Sequence, residues 1–113
     1  MKAQELFDEI CSSLESRAAR SKMFGAPCMK TPNGKAAFCL YKEFLVVKLD
    51  TQTQNETLAL DGVGMFSPMD GRPMNGWVQV GMEYADKWKF LAEKSIDFVE
   101  KLEANVPKAS KKK

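Results

Sequence analysis

Histidine is absent from this 113-residue chain, and that gap removes a good deal of chemistry. Without an imidazole there is no Ser-His-Asp or Cys-His nucleophile pairing, and no side chain whose ordinary pKa lies near neutrality. Cysteine is scarce too. Cys11, Cys28 and Cys39 are odd in number, far apart, and show neither CxxC nor zinc-ligand spacing. They read as small reduced core residues, so no metal and no other cofactor is expected. No run of about 18 apolar residues occurs, which excludes a membrane-spanning helix. The opening Met-Lys-Ala-Gln-Glu-Leu brings an acid at once, without the apolar stretch of a secretory leader. A cytoplasmic setting is expected.

Basic charge is also lacking from the body of the chain. The formal net charge is +2, but Lys108, Lys111, Lys112 and Lys113 follow Pro107 and no acid does. Residues 1–107 therefore hold 13 of the 17 basic side chains against all 15 acids, a net of −2. Nucleic-acid-binding domains carry a basic face or a high domain pI. The body shows neither in its totals, and the terminal lysines read as a solvated tail, so direct DNA binding is not expected.

What is present is patterning for one domain. Residues 2–20 place Ala3, Leu6, Phe7, Ile10, Cys11, Leu14 and Ala18 at three- and four-residue steps, predicting an amphipathic helix. The period then changes. "MFGAPCMKTPNGKAAFCLYKEFLVVKLD" predicts a three-strand meander, with Asn33-Gly34 as a type I′ hairpin turn and Lys42-Glu43 as a second turn. In the third strand Leu45, Val47 and Leu49 face one way, while Phe44, Val46 and Lys48 face the other. A short helix is expected near residues 53–60, ended by Gly62. "VGMFSPMD" and "GWVQVG" then give two short strands around a Gly- and Pro-rich loop. The final helix runs from Tyr84 through Trp88, Leu91, Ala92, Ser95, Phe98 and Val99 to Leu102. The fold class that follows is α+β: a two-layer sandwich, α-β(3)-α-β(2)-α, with an antiparallel sheet. Residues 1–107 form the domain and 108–113 a basic disordered tail.

The candidate site residues cluster around "GRPMNGWVQV", residues 71–80. Gly71 and Pro73 restrict the turn around Arg72, and Trp77 shares a strand face with Gln79. The plainer reading has Arg72 reaching Asp70 or Asp61 while Trp77 closes an edge of the core. The functional reading makes Arg72 and Trp77 an exposed anchor pair, since Arg and Trp are over-represented among binding hot spots. Met69 and Met74 adjoin them, and methionine lines adaptable grooves as readily as it fills cores. The loop acids Asp50, Glu56, Asp61 and Asp70 show no pairing that would mark a catalytic site, and "GVGMFS" lacks the GK[ST] ending of a phosphate loop.

"SKMFG" with "CM", then "GKAAF", "LVVKL" and "PMDGRPM" leading to "GWVQV", resemble the TfoX/Sxy N-terminal domain family from about Arg20 to Leu102, in its compact single-domain branch. Arg20, Met23, Phe24, Gly25, Gly34, Lys35, Lys48 and Asp50 match the family pattern, and Gly71, Arg72, Pro73, Met74 and Trp77 match the branch. The resemblance implies the same two-layer fold and a bacterial regulatory module of the kind that controls competence. It brings no catalytic residues. The expectation is a non-enzymatic module that docks a protein partner through residues 69–77, with a homodimer through an exposed strand edge as a further form. The alternative is a small-ligand or peptide-binding protein using a Met-lined groove. A groove should conceal Trp77, whereas a docking patch should expose it.

Overall fold

Apolar steps wind the first segment into α1 (Ala3–Ser13), which buries Ala3, Phe7, Ile10 and Cys11. The Lys2 backbone N–H donates to the Glu5 carboxylate at 2.9 Å and closes the first turn. The computed structural model describes residues 2–23, 26–66 and 76–102. The expected tail, 108–113, lies outside them.

The first helix is shorter than its apolar spacing predicts. It stops at Ser13, whose hydroxyl donates back to the Ile10 carbonyl at 2.8 Å. Serines at 12, 13 and 16 compete for backbone groups and favour leaving the helix. Leu14 and Ala18 are buried all the same, but by a turn, and the chain then enters β1 (Ala19–Met23). The expected three-strand meander is therefore four strands, and the order is α-β(4)-α-β(2)-α. β1 pairs antiparallel with β2 (Ala26–Lys30) from Ala19↔Lys30 to Met23↔Ala26. A pairing partner along a whole strand outweighs continuation of a marginal helix.

β3 (Ala36–Tyr41) and β4 (Phe44–Lys48) complete the meander. Their connecting pair places Lys42 at φ 58°, the one non-glycine with positive φ among the described residues. The Asn33-Gly34 turn also differs from expectation. Only Gly34 is left-handed (φ 85°), and its N–H donates to the Thr31 carbonyl at 2.9 Å. A type I′ turn would need Asn33 left-handed as well. The Asn33 amide instead donates to the Val99 and Leu102 carbonyls at 2.8 and 3.1 Å, and that engagement fixes the loop.

α2 (Thr51–Leu58) begins two residues before the expected position because Asp50 caps it, accepting from the Thr53 N–H and hydroxyl. β5 (Gly64–Met65) and β6 (Trp77–Val80) follow, and a 3-10 turn at Met82–Tyr84 leads into α3 (Ala85–Val99). The sheet is fully antiparallel, in the order β1-β2-β3-β4-β6-β5. The α+β class with an antiparallel sheet is thus as the periodicities predict, with one strand added.

The alternation in β4 and β6 divides the interior. Leu45, Val47, Val78 and Val80 face α1 and α3 in the main core, where Phe7 meets Phe38 edge-to-face at 5.7 Å. Trp88 lies there fully buried, its indole N–H donating to the Gly81 carbonyl at 3.1 Å. Val46 and Trp77 point the other way. With Cys28, Cys39 and Phe66 they form a second, smaller apolar cluster on the opposite sheet face. No helix among the described residues is long and apolar enough to cross a membrane.

Candidate functional site

The candidate site adjoins the second cluster at Trp77 and at Ala36, which packs against it. A cleft of about 300 Å³ opens there, lined by Lys22, Lys30, Gly34, Lys35, Ala36, Lys48 and Trp77. Each lysine arrives on a different piece of backbone. Lys22 is on β1, Lys30 ends β2, Lys35 leaves the following loop and Lys48 ends β4. Register brings the last of these to Trp77, since Lys48 and Trp77 are direct partners between β4 and β6. The Lys48 ammonium sits over the indole, 5.8 Å from the ring centroid. That is cation–π range, and it steadies a long side chain at the rim.

The charge in this cleft is unbalanced. Among the described residues no carboxylate lines it, and none of the four lysines forms an ion pair. The arginines are used differently. Arg17 binds Asp97 and Glu100 at 2.7 and 3.0 Å. Arg20 holds Asp8 and Glu15, both at 3.1 Å, and so clamps the edge strand β1 onto α1. A larger depression of about 610 Å³ lies elsewhere, between Lys2, Ala3, Gln4, Leu40, Lys42, Glu43 and Met82. It mixes both signs of charge and has no aromatic wall among the described residues, so it offers less for selective recognition.

Beneath the cleft, Cys28 and Cys39 are cross-strand partners of β2 and β3, both buried and both free. Burial pushes the Cys39 thiol up to about 12. Burial raises the Cys28 thiol as well, against the opposing influence of Lys30 and a hydrogen bond with Ser21. Burial keeps both thiols protonated at neutral pH, as in structural cysteines. Among the described residues no group of three or more Cys, Asp or Glu side chains could hold a metal ion. Asp50 is taken up by its helix cap, which holds its carboxyl below the usual value through the Thr53 hydrogen bond.

The residues expected from sequence divide three ways. Gly34, Lys35, Lys48 and Trp77 come together at the cleft. Arg20 and Asp50 do structural work away from it, and the Met23 backbone ends β1 opposite Ala26. Phe24, Gly25, Met69, Gly71, Arg72, Pro73 and Met74 lie outside the described residues, as does most of the expected docking loop. Trp77 is 6 % exposed, held in the second cluster and bordering a concavity. The cleft is lined by lysines, while Met69 and Met74 of the expected methionine groove lie outside the described residues.

Lys22 and Lys30 are the functional candidates that sequence reasoning missed. The totals for residues 1–107 suggest no basic face, yet the fold assembles one from lysines scattered along the chain. Alternation within the strands was the only signal, and it does not say which separate strands lie side by side. Comparison with protein-family models, with curated proteins and with solved structures finds no match.

Proposed function

We propose that the chain is a binding module without catalysis that receives an anionic ligand or partner segment in the lysine cleft. The observation that carries this reading is the convergence of Lys22, Lys30, Lys35 and Lys48 around Trp77 with no carboxylate among the described lining residues. Uncompensated like charge in a concavity focuses the local potential and draws in the opposite sign. The burial of Trp77 favours a concave site over an exposed docking patch, by the criterion set from sequence.

The proposal includes a regulatory module of the TfoX N-terminal kind. Three of the positions singled out by that resemblance, Gly34, Lys35 and Lys48, line the cleft beside Trp77. It also includes a bacterial cytoplasmic setting, in which Cys11, Cys28 and Cys39 stay reduced.

The test is a charge-matched comparison on an anionic matrix. Lys30→Glu with Lys48→Glu should abolish salt-sensitive retention, whereas Lys87→Glu with Lys89→Glu on α3 should leave most of it. Equal losses in both pairs would reduce the effect to net charge and end the cleft assignment.

A further inference from the structure

We infer that the cleft takes a small organic molecule carrying two phosphate groups. The inference rests on the binding-module reading above and names its ligand.

The first argument is the choice of cation. An arginine fork matches carboxylate and phosphate alike, whereas a lysine ammonium is a compact charge with three rotatable donors, the form in which phosphate loops hold phosphate. This fold segregates the two types. Arg17 and Arg20 each bind two carboxylates within the chain. Among the described residues the cleft receives lysines alone as its cations.

The second is arrangement. Four lysines line the cleft from β1, β2, the loop before β3 and the end of β4. They line one concavity and do not form a track along a single element. A duplex or an extended strand asks for a basic groove that follows its backbone. A volume of about 300 Å³ lies at the lower end of small-molecule sites.

The third is charge and surroundings. Two phosphate groups carry about −3 to −4 at neutral pH, which comes close to offsetting four lysines. Gly34, at φ 85°, adds a piece of lining with no side chain, where backbone can approach a ligand closely. The Trp77 edge supplies an apolar wall for the organic part.

The experiment is calorimetric titration of the full chain with inorganic pyrophosphate, adenosine diphosphate, citrate and a short oligothymidylate. Pyrophosphate and the nucleotide should bind one to one, with the nucleotide tighter because of the Trp77 wall. Citrate should bind at least about tenfold more weakly than pyrophosphate. Lys30→Ala and Lys48→Ala should each weaken pyrophosphate by about tenfold, the usual scale for one charge-assisted hydrogen bond, while Lys89→Ala should change nothing. Circular dichroism of each variant separates lost binding from lost folding. Citrate binding as tightly as pyrophosphate would overturn the phosphate assignment and leave the anion-binding reading standing. Oligothymidylate binding more tightly than either phosphate compound would overturn the small-molecule assignment in favour of nucleic acid. Silence from all four probes would overturn both this inference and the reading beneath it.

Discussion

The side-chain amide of Asn33 caps the end of α3: its nitrogen donates to the carbonyls of Val99, at 2.8 Å, and Leu102, at 3.1 Å. A loop residue between β2 and β3 thereby ties down two carbonyls at and just past the end of α3, that of Val99 also accepting from the Leu102 N–H at 3.0 Å. Its carbonyl oxygen meanwhile accepts from the Lys35 N–H and pairs with the Thr31 hydroxyl, so one side chain shapes the turn and closes the helix.

Asn33→Asp separates these two jobs. An aspartate keeps the acceptor that shapes the turn, but it loses both donations and sets a negative charge at a helix C-terminus. The expected cost is about 1–3 kcal/mol by urea denaturation, close to that of Asn33→Ala. An aspartate variant as stable as the native protein would show that the cap contributes nothing.

Lys42 occupies the left-handed region at φ 58° in a two-residue turn. An L side chain there is strained by roughly 1–2 kcal/mol, partly offset in a glycine variant by the greater freedom of the unfolded chain. Lys42→Gly should therefore raise the free energy of unfolding by several tenths of a kcal/mol, up to about 1. A loss of stability would mean that the stacking of Lys42 over Tyr41, at 5.5 Å, outweighs the strain.

The Asp50 cap predicts a dependence on acid. Its folded pKa lies below the ordinary 3.8, through the hydrogen bonds with Thr53, so its contribution is present above that value and is lost as pH falls through the lower folded one. Asp50→Ala should cost about 1 kcal/mol at neutral pH. The gap between native and variant should close below pH 4, which melting curves across that range would reveal. A gap that stays constant into strong acid would remove the carboxylate from the explanation.

The thiols predict the opposite limb. Burial raises Cys11 and Cys39 from an ordinary 9.0 to about 12, and raises Cys28 in the same direction. A group that holds its proton more tightly when folded contributes fully below its unfolded pKa, and that contribution is lost as pH climbs toward the folded value. Stability should therefore decline between pH 9 and 12, less steeply in Cys39→Ala. A disulfide-exchange reagent at pH 8 should find no fast-reacting thiol in the folded chain and all three after denaturation. Rapid reaction of any one would point to local opening around it.

How much of this was legible in sequence depended on whether the signal was local. The Trp88–Val99 stripe gave α3 because a helix's period is written in its own residues. The alternation of Leu45, Val46 and Val47 gave β4, and even its mixed outer face. The existence of β1 was hidden, because Leu14 and Ala18 happen to extend the helical spacing of α1 past the point where the chain turns. Asn33 was rightly read as a turn residue, but its conformation is set by a helix end 66 residues away. The lysine cleft was hidden for the same reason. A sum of charges is blind to which strands the sheet makes neighbours, and Lys22, Lys30, Lys35 and Lys48 meet only through the pairing of β1 to β4 and the loop between β2 and β3.

The sheet order also bears on how copies of this protein behave in concentrated solution. Among the described residues its margins are β1 and β5. β5 offers two residues of backbone, and β1 carries Arg20 and Lys22, with Arg20 turned onto α1. Short or charged margins are poor templates for strand addition by a second chain. Runaway association should therefore start from molecules in which α1 has released β1, and the Arg20 clamp, modest as a source of stability, would govern how long a concentrated stock stays clear.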